Sequence, residues 1–138
     1  MPRIENGENP RTGLSGLDSL KAEKIESINR ETSAAILAGF DSDFDGKTLH
    51  FAYDSFDQQN FADAANAALL TTLSGSDQEV TWNAYEDGAL TRLTLNVAQF
   101  LALYTGGALA HKAACMEAGG VRKAAVASAS TAQDLEAI

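Results

Sequence analysis

The chain has 138 residues, carries a formal net charge of −9 and is 45% apolar. That length holds one domain with a real core, and that apolar fraction argues against disorder. The acidic balance opposes non-specific attachment to nucleic acid or to an anionic membrane, since both surfaces carry the same sign. A single cysteine, Cys115, excludes an intrachain disulfide and points to a reducing compartment. No signal-peptide order opens the chain, and no apolar run is long enough to span a bilayer.

Residues 1–16 hold both prolines and little that is apolar, and read as an extended arm that docks on a partner. The first helix is expected from Ser15, spaced from Asp18 as in a capping box. Leu17, Ile25, Ile28, Thr32, Ala35 and Ile36 recur along it at helical spacing, and Gly39 stops it. Leu49, Phe51 and Tyr53 then alternate with polar or small residues, as in a half-buried strand. Ser55 with Gln58 signals a second helix whose stripe is Phe61, Ala64, Ala65, Ala68, Leu69, Thr72 and Leu73.

A hairpin is expected over residues 79–95, turning at Asp87-Gly88. Asn96 with Gln99 caps a third helix striped by Val97, Phe100, Leu101, Tyr104, Ala108, His111 and Cys115. Gly106-Gly107 should weaken that helix and Gly119-Gly120 should break it. Residues 120–138 read as a further alanine-rich helix with a thin stripe of Val121, Ala125, Ser128, Ala132 and Leu135. The expected architecture is α+β: a small, mostly antiparallel three-stranded sheet packed by helices, with a long alanine-rich helical region at the C-terminus. Its parts are the arm 1–16, an α+β domain over 17–119 and the C-terminal helix 120–138.

Two patterns could carry chemistry. Asp41, Asp43 and Asp45 with Gly46 match the first half of a calcium loop, in which alternate carboxylates converge on a hard cation. The position that should hold a bidentate glutamate is Ala52, and the chain there reads as strand. The three aspartates are therefore calcium candidates on half a motif, beside the plainer reading of an acidic turn. His111 and Cys115 lie four apart on one helix face, a spacing open to a metal or to a base beside a thiol. Both also belong to the stripe expected to be buried, which makes them core. No phosphate-binding glycine loop or nucleophile elbow is present, and the aromatics fall on apolar faces without basic residues between them. No catalytic residue and no cofactor is expected.

Ser33–Phe40 (SAAILAGF), Tyr53–Phe61 (YDSFDQQNF), Leu93–Phe100 (LTLNVAQF) and His111-Lys112 stand in an order that resembles a domain of unknown function. That domain recurs in bacteriophage and prophage tail proteins, often encoded near tail-fibre genes. The resemblance covers about residues 17–130, and the acidic turn at Asp41–Asp45 is richer in aspartate than the family's usual loop. It implies a non-enzymatic structural component of a tail, baseplate or tail-fibre attachment region, acting through protein contacts. The alternative is a tail-fibre assembly chaperone not retained in the mature particle. The implied partners are other tail, baseplate or fibre proteins, or further copies of the chain, and neither nucleic acid nor membrane. The implied location is the virion tail, with assembly in the bacterial host cytoplasm. An acidic inhibitor or DNA mimic would need acids aligned along one face, and the acids here are spread through the chain.

Overall fold

The structure is a computed structural model that describes residues 8–9 and 14–138. Most of the expected docking arm, 1–7 and 10–13, lies outside the described residues. The chain divides into two compact units, one of residues up to Ser33 together with Met116–Ile138, the other Ala34–Cys115.

In the first unit, β1 (Glu8–Asn9) pairs antiparallel with β2 (Leu14–Ser15), with Glu8 opposite Ser15 and Asn9 opposite Leu14. Helix α1 (Gly16–Leu37) follows directly and gives this unit its residues up to Ser33. Ile28 is fully buried against Val126, Ala129 and Leu135, with Leu17, Ile25 and Ile138 around them. Glycines 119 and 120 do not break the chain here, because α4 (Ala110–Ser128) runs through both. Gly119 is instead a place of close helix approach: a β-carbon there would run into Oγ1 of Thr32. The same two helices are joined at their rim, where Arg122 meets Glu31 at 2.6 Å and Lys123 Nζ donates to Asn29 Oδ1 at 3.0 Å.

The C-terminal stretch is two helices rather than one. After α4 the chain opens, and Thr131 caps a short α5 (Ala132–Glu136) by a reciprocal bond with Asp134. Val126, Ala129 and Leu135 are buried, while Val121, within α4, is 60% exposed, so the buried stripe differs from the expected one.

The second unit carries the sheet. Its strands β3 (Phe40–Phe44), β4 (Lys47–Phe51), β5 (Glu79–Glu86) and β6 (Ala89–Asn96) stand in that order, each antiparallel to its neighbour. The sheet therefore has four strands, not the expected three. The extra strand is the aspartate-rich segment. Phe40 pairs with Phe51 and Phe44 with Lys47, through a two-residue turn in which Asp45 and Gly46 both take positive φ (50° and 77°). That is the backbone a tight hairpin demands, so the segment that resembled a calcium loop is a β-hairpin. Its acids Asp41 and Asp43 fall on the exposed side of the pleat.

Between β4 and β5 lies α2 (Ser55–Leu73). After β6 come α3 (Val97–Leu103), a π-helical turn (Tyr104–Leu109) and the first residues of α4. Asn96 and Gln99 form the expected reciprocal cap on α3. The expected cap on α2 sits one residue earlier: Asp54 accepts from the amide of Asp57 at 2.8 Å, and Asp57 accepts from the amide of Asp54 at 3.1 Å.

Phe61 is the hub of the core, buried completely, with ring centroids 4.5 Å from Trp82, 5.7 Å from Tyr53 and 5.9 Å from both Phe40 and Phe100. Burial of each such ring contributes about 1.5–3 kcal/mol, so this cluster is the main source of cohesion in the unit. Burial also holds the Tyr53 hydroxyl above its ordinary pKa, and the nearby Tyr104 adds to the effect.

Candidate functional site

Strands β4 and β5 meet at a single register pair among the described residues, His50 opposite Tyr85. Strand β4 ends at Phe51, and the chain turns through Ala52–Asp54 into α2. Strand β5 reaches six residues beyond Tyr85 toward its N-terminal end, from Ala84 back to Glu79. The antiparallel register sets Phe51, the last residue of β4, beside Ala84, and from Asn83 back to Glu79 no described strand lies beside β5 on the β4 side. Helix α2 flanks the vacant lane, presenting Asp57, Asn60, Ala64, Ala67 and Thr71 at helical spacing.

Two concavities, of about 590 and 380 Å³, lie between α2 and β5, the first reaching Arg92 of β6 and the second Val97 of α3, and share Ala64, Thr81 and Trp82 as walls. They form one groove between a helix and a strand edge. Its floor is apolar, made by Ala64, Ala67, Ala68, Val80 and the Trp82 ring. Its rim is polar and mostly acidic: Asp57, Asp63 and Glu79, with Arg92 as its one cation among the lining residues.

Several of these groups are committed locally. Desolvation raises the Asp57 pKa above the ordinary carboxylate value, and hydrogen bonding with Asp54 shifts it both ways. Asp63 accepts from Gln59 Nε2 at 2.8 Å, and Arg92 Nη1 donates to Asn83 Oδ1 at 3.3 Å. Asn60 keeps a side-chain amide that no described residue engages.

The residues singled out from the sequence lie elsewhere. Asp41 Oδ1 is 2.8 Å from Nδ1 of His50, and Asp43 Oδ1 accepts from the Thr48 hydroxyl at 2.7 Å. Asp45 sits in the hairpin turn. Asp41 and Asp43 each face their own cross-strand partner, and no group of three or more His, Cys, Asp or Glu among the described residues is placed to hold a metal ion. His111 Nε2 lies 3.1 Å from the carbonyl oxygen of Ile36, the arrangement of an N–H donating to that oxygen. Its Nδ1 is then the acceptor nearest the Cys115 thiol, at 3.8 Å. Both side chains are half-buried against the aromatic core.

Both histidines also border an open concavity of about 550 Å³ beside Gly39, Phe40, Asp41 and Gly107. Tyr53, Asp54, Asp57 and Gln58 form a polar network at the strand end, which Asn60 does not join. Gln58 Nε2 donates to the Tyr53 carbonyl at 3.2 Å, and Lys112 Nζ donates to Gln58 Oε1 at 3.1 Å.

The groove itself left no local signal in the sequence. Its walls come from one face of α2 and from β5, and the space exists because β4 and β5 part after one pair. Among the described residues no helix is long and apolar enough to cross a membrane.

Fold and groove together define a small α+β protein with a four-stranded antiparallel sheet and an open strand edge. Residues 19–138 match the family described as Domain of unknown function (DUF4376), and the chain belongs to that family. No curated protein and no solved structure matches it.

Proposed function

We propose that the chain is a non-enzymatic structural component of a bacteriophage tail, baseplate or tail-fibre attachment region, working through protein contacts. The reading rests on the resemblance of the Ser33–Phe40, Tyr53–Phe61 and Leu93–Phe100 segments to a tail-associated domain. The physical observation that supports contact over catalysis is the outer surface of α2.

That helix is apolar on both sides. Phe61, Ala65 and Ala68 face the core, while Leu69, Leu70 and Leu73 are 51%, 59% and 82% exposed. No charged residue stands between Ala64 and Ser76. Scattered exposed leucines are ordinary on a protein surface, whereas three within one and a half helical turns, without a charge among them, form a contact patch. Covering each leucine contributes about 1.5–3 kcal/mol to association before the cost of ordering. The net charge of −9 favours a protein partner over nucleic acid.

Peptide mass spectrometry on purified particles, with copy number set against the major tail protein, tests the proposal. Stoichiometric presence supports a virion component located in the tail. Absence from particles, with recovery from lysate bound to fibre protein, overturns it in favour of an assembly chaperone.

A further inference from the structure

We infer that the groove between α2 and β5 receives an extended, lysine- or arginine-bearing segment of another protein, which adds as a strand to the open edge of β5. This rests on the contact function proposed above and names the chemistry of one partner.

The backbone supplies the first argument. A strand edge presents N–H and C=O groups that pair best with another extended backbone, and sheets add peptides at such edges. Here the edge from Glu79 to Asn83 has no registered neighbour on the β4 side among the described residues. Proteins blunt exposed edges with prolines, inward charges or a covering loop. Strand β5 contains no proline and no lysine. What stands beside it is a helix set far enough away to leave cavities of about 590 and 380 Å³.

The side chains supply the second argument. A strand in this lane alternates its side chains between two directions. On one side it meets Ala64, Ala67 and the Trp82 ring, small or flat surfaces that admit apolar groups. Asn60, whose amide is unengaged, is placed to bond a polar group of the guest.

Charge decides between occupants. The groove walls hold Asp57, Asp63 and Glu79 against the single Arg92, whose guanidinium already meets Asn83. A second copy bringing its own β5 edge would set these acids against their counterparts, which is unfavourable. A basic guest strand meets complementary charge and leaves the edge fully paired.

The test uses the full chain and a fluorescein-labelled short peptide alternating lysine and valine, with a counterpart carrying glutamate in place of lysine. Anisotropy should show saturable binding of the lysine peptide and none of the glutamate peptide. Amide exchange of residues 79–83 should slow at least tenfold on binding. Ala67→Trp, which fills the groove from an exposed position, should weaken binding at least tenfold, and Asp63→Lys should weaken it severalfold.

Equal binding of both peptides, binding untouched by either variant, or protection confined to other residues would overturn the inference. So would a peptide-free chain that sediments as a dimer with residues 79–83 protected, since that makes a second copy the occupant. The outcome is separable from the tail proposal. A chain found stoichiometrically in particles but indifferent to the peptide loses only the groove assignment. One that binds the peptide through the groove but is absent from particles loses only the tail assignment.

Discussion

A β-carbon on Gly107 would stand 2.7 Å from Cε2 of Phe40, closer than any relaxed packing allows. The π-helical turn Tyr104–Leu109 thus brings bare backbone onto the first aromatic of β3. Its neighbour Gly106 has open space where a β-carbon would go. The two glycines of one pair consequently make opposite predictions. Gly107→Ala should lower stability in urea unfolding by about 1–3 kcal/mol through overpacking. Gly106→Ala should leave it unchanged or raise it by about 0.5–1 kcal/mol. Equal effects from the two would mean that Phe40 does not sit where the structure puts it.

That pair shows what was legible in the sequence. Gly106-Gly107 reads as a weak point in a helix, and the helix does widen there. The reason, a ring arriving from more than sixty positions earlier, is absent from local pattern. The hairpin at Asp87-Gly88 and the Asn96–Gln99 cap were readable because turn and cap chemistry is contained within a few residues. Strand β3 was not, because Asp41, Asp43 and Asp45 imitate a cation loop while Phe40, Ser42 and Phe44 alternate beneath them. Leu69 and Leu73 fit the helical stripe of α2 as well as Phe61 does. Only the packed structure separates the face that is covered from the face that is not.

The start of α2 offers a sharper test of a cap. Asp54, not Ser55, accepts from the third helical amide. Asp54→Ala should cost about 1 kcal/mol, in the ordinary range for a lost cap, while Ser55→Ala should change stability by less than about 0.5 kcal/mol. Thermal unfolding of the two variants beside the parent decides it, and a larger loss at Ser55 would move the cap by one residue.

Calcium should not stabilise this protein. Asp41 and Asp43 each face a partner across the hairpin, His50 and Thr48, and Asp45 belongs to the turn. Millimolar calcium should therefore leave Tm where magnesium leaves it. A calcium-specific rise in Tm that Asp43→Asn removes would show that the three carboxylates gather on a cation after all.

Acid should loosen the C-terminal helix before the rest of its unit. Asp134 is held below the ordinary carboxylate range mainly by hydrogen bonds from Ser130, with Thr131 adding to them. A carboxylate with a lowered folded pKa contributes stability that is fully present above its unfolded value, near 3.8, and is lost as pH falls through the folded value. Protection factors of the Ser130 and Thr131 amides, which divide out the intrinsic slowing of exchange in acid, should thus fall below about pH 4. Asp134→Asn should show fast exchange already at neutral pH and no such step. A parent protein without the acid step would place those hydrogen bonds elsewhere.

The leucine patch separates contact from folding. Leu70 and Leu73 are 59% and 82% exposed on α2, so neither holds the core together. Replacing each with lysine should shift unfolding free energy by no more than about 0.5 kcal/mol, the usual range for an exposed site. It should nevertheless place a charge in the middle of an apolar contact, where an unpaired charge is strongly disfavoured. Under the proposed function, the double variant Leu70→Lys with Leu73→Lys should accumulate normally in lysate and fall at least tenfold in purified particles. A double variant that folds and is incorporated at parental copy number would remove this face from the contact. The open edge of β5 would then be the surface left to carry it.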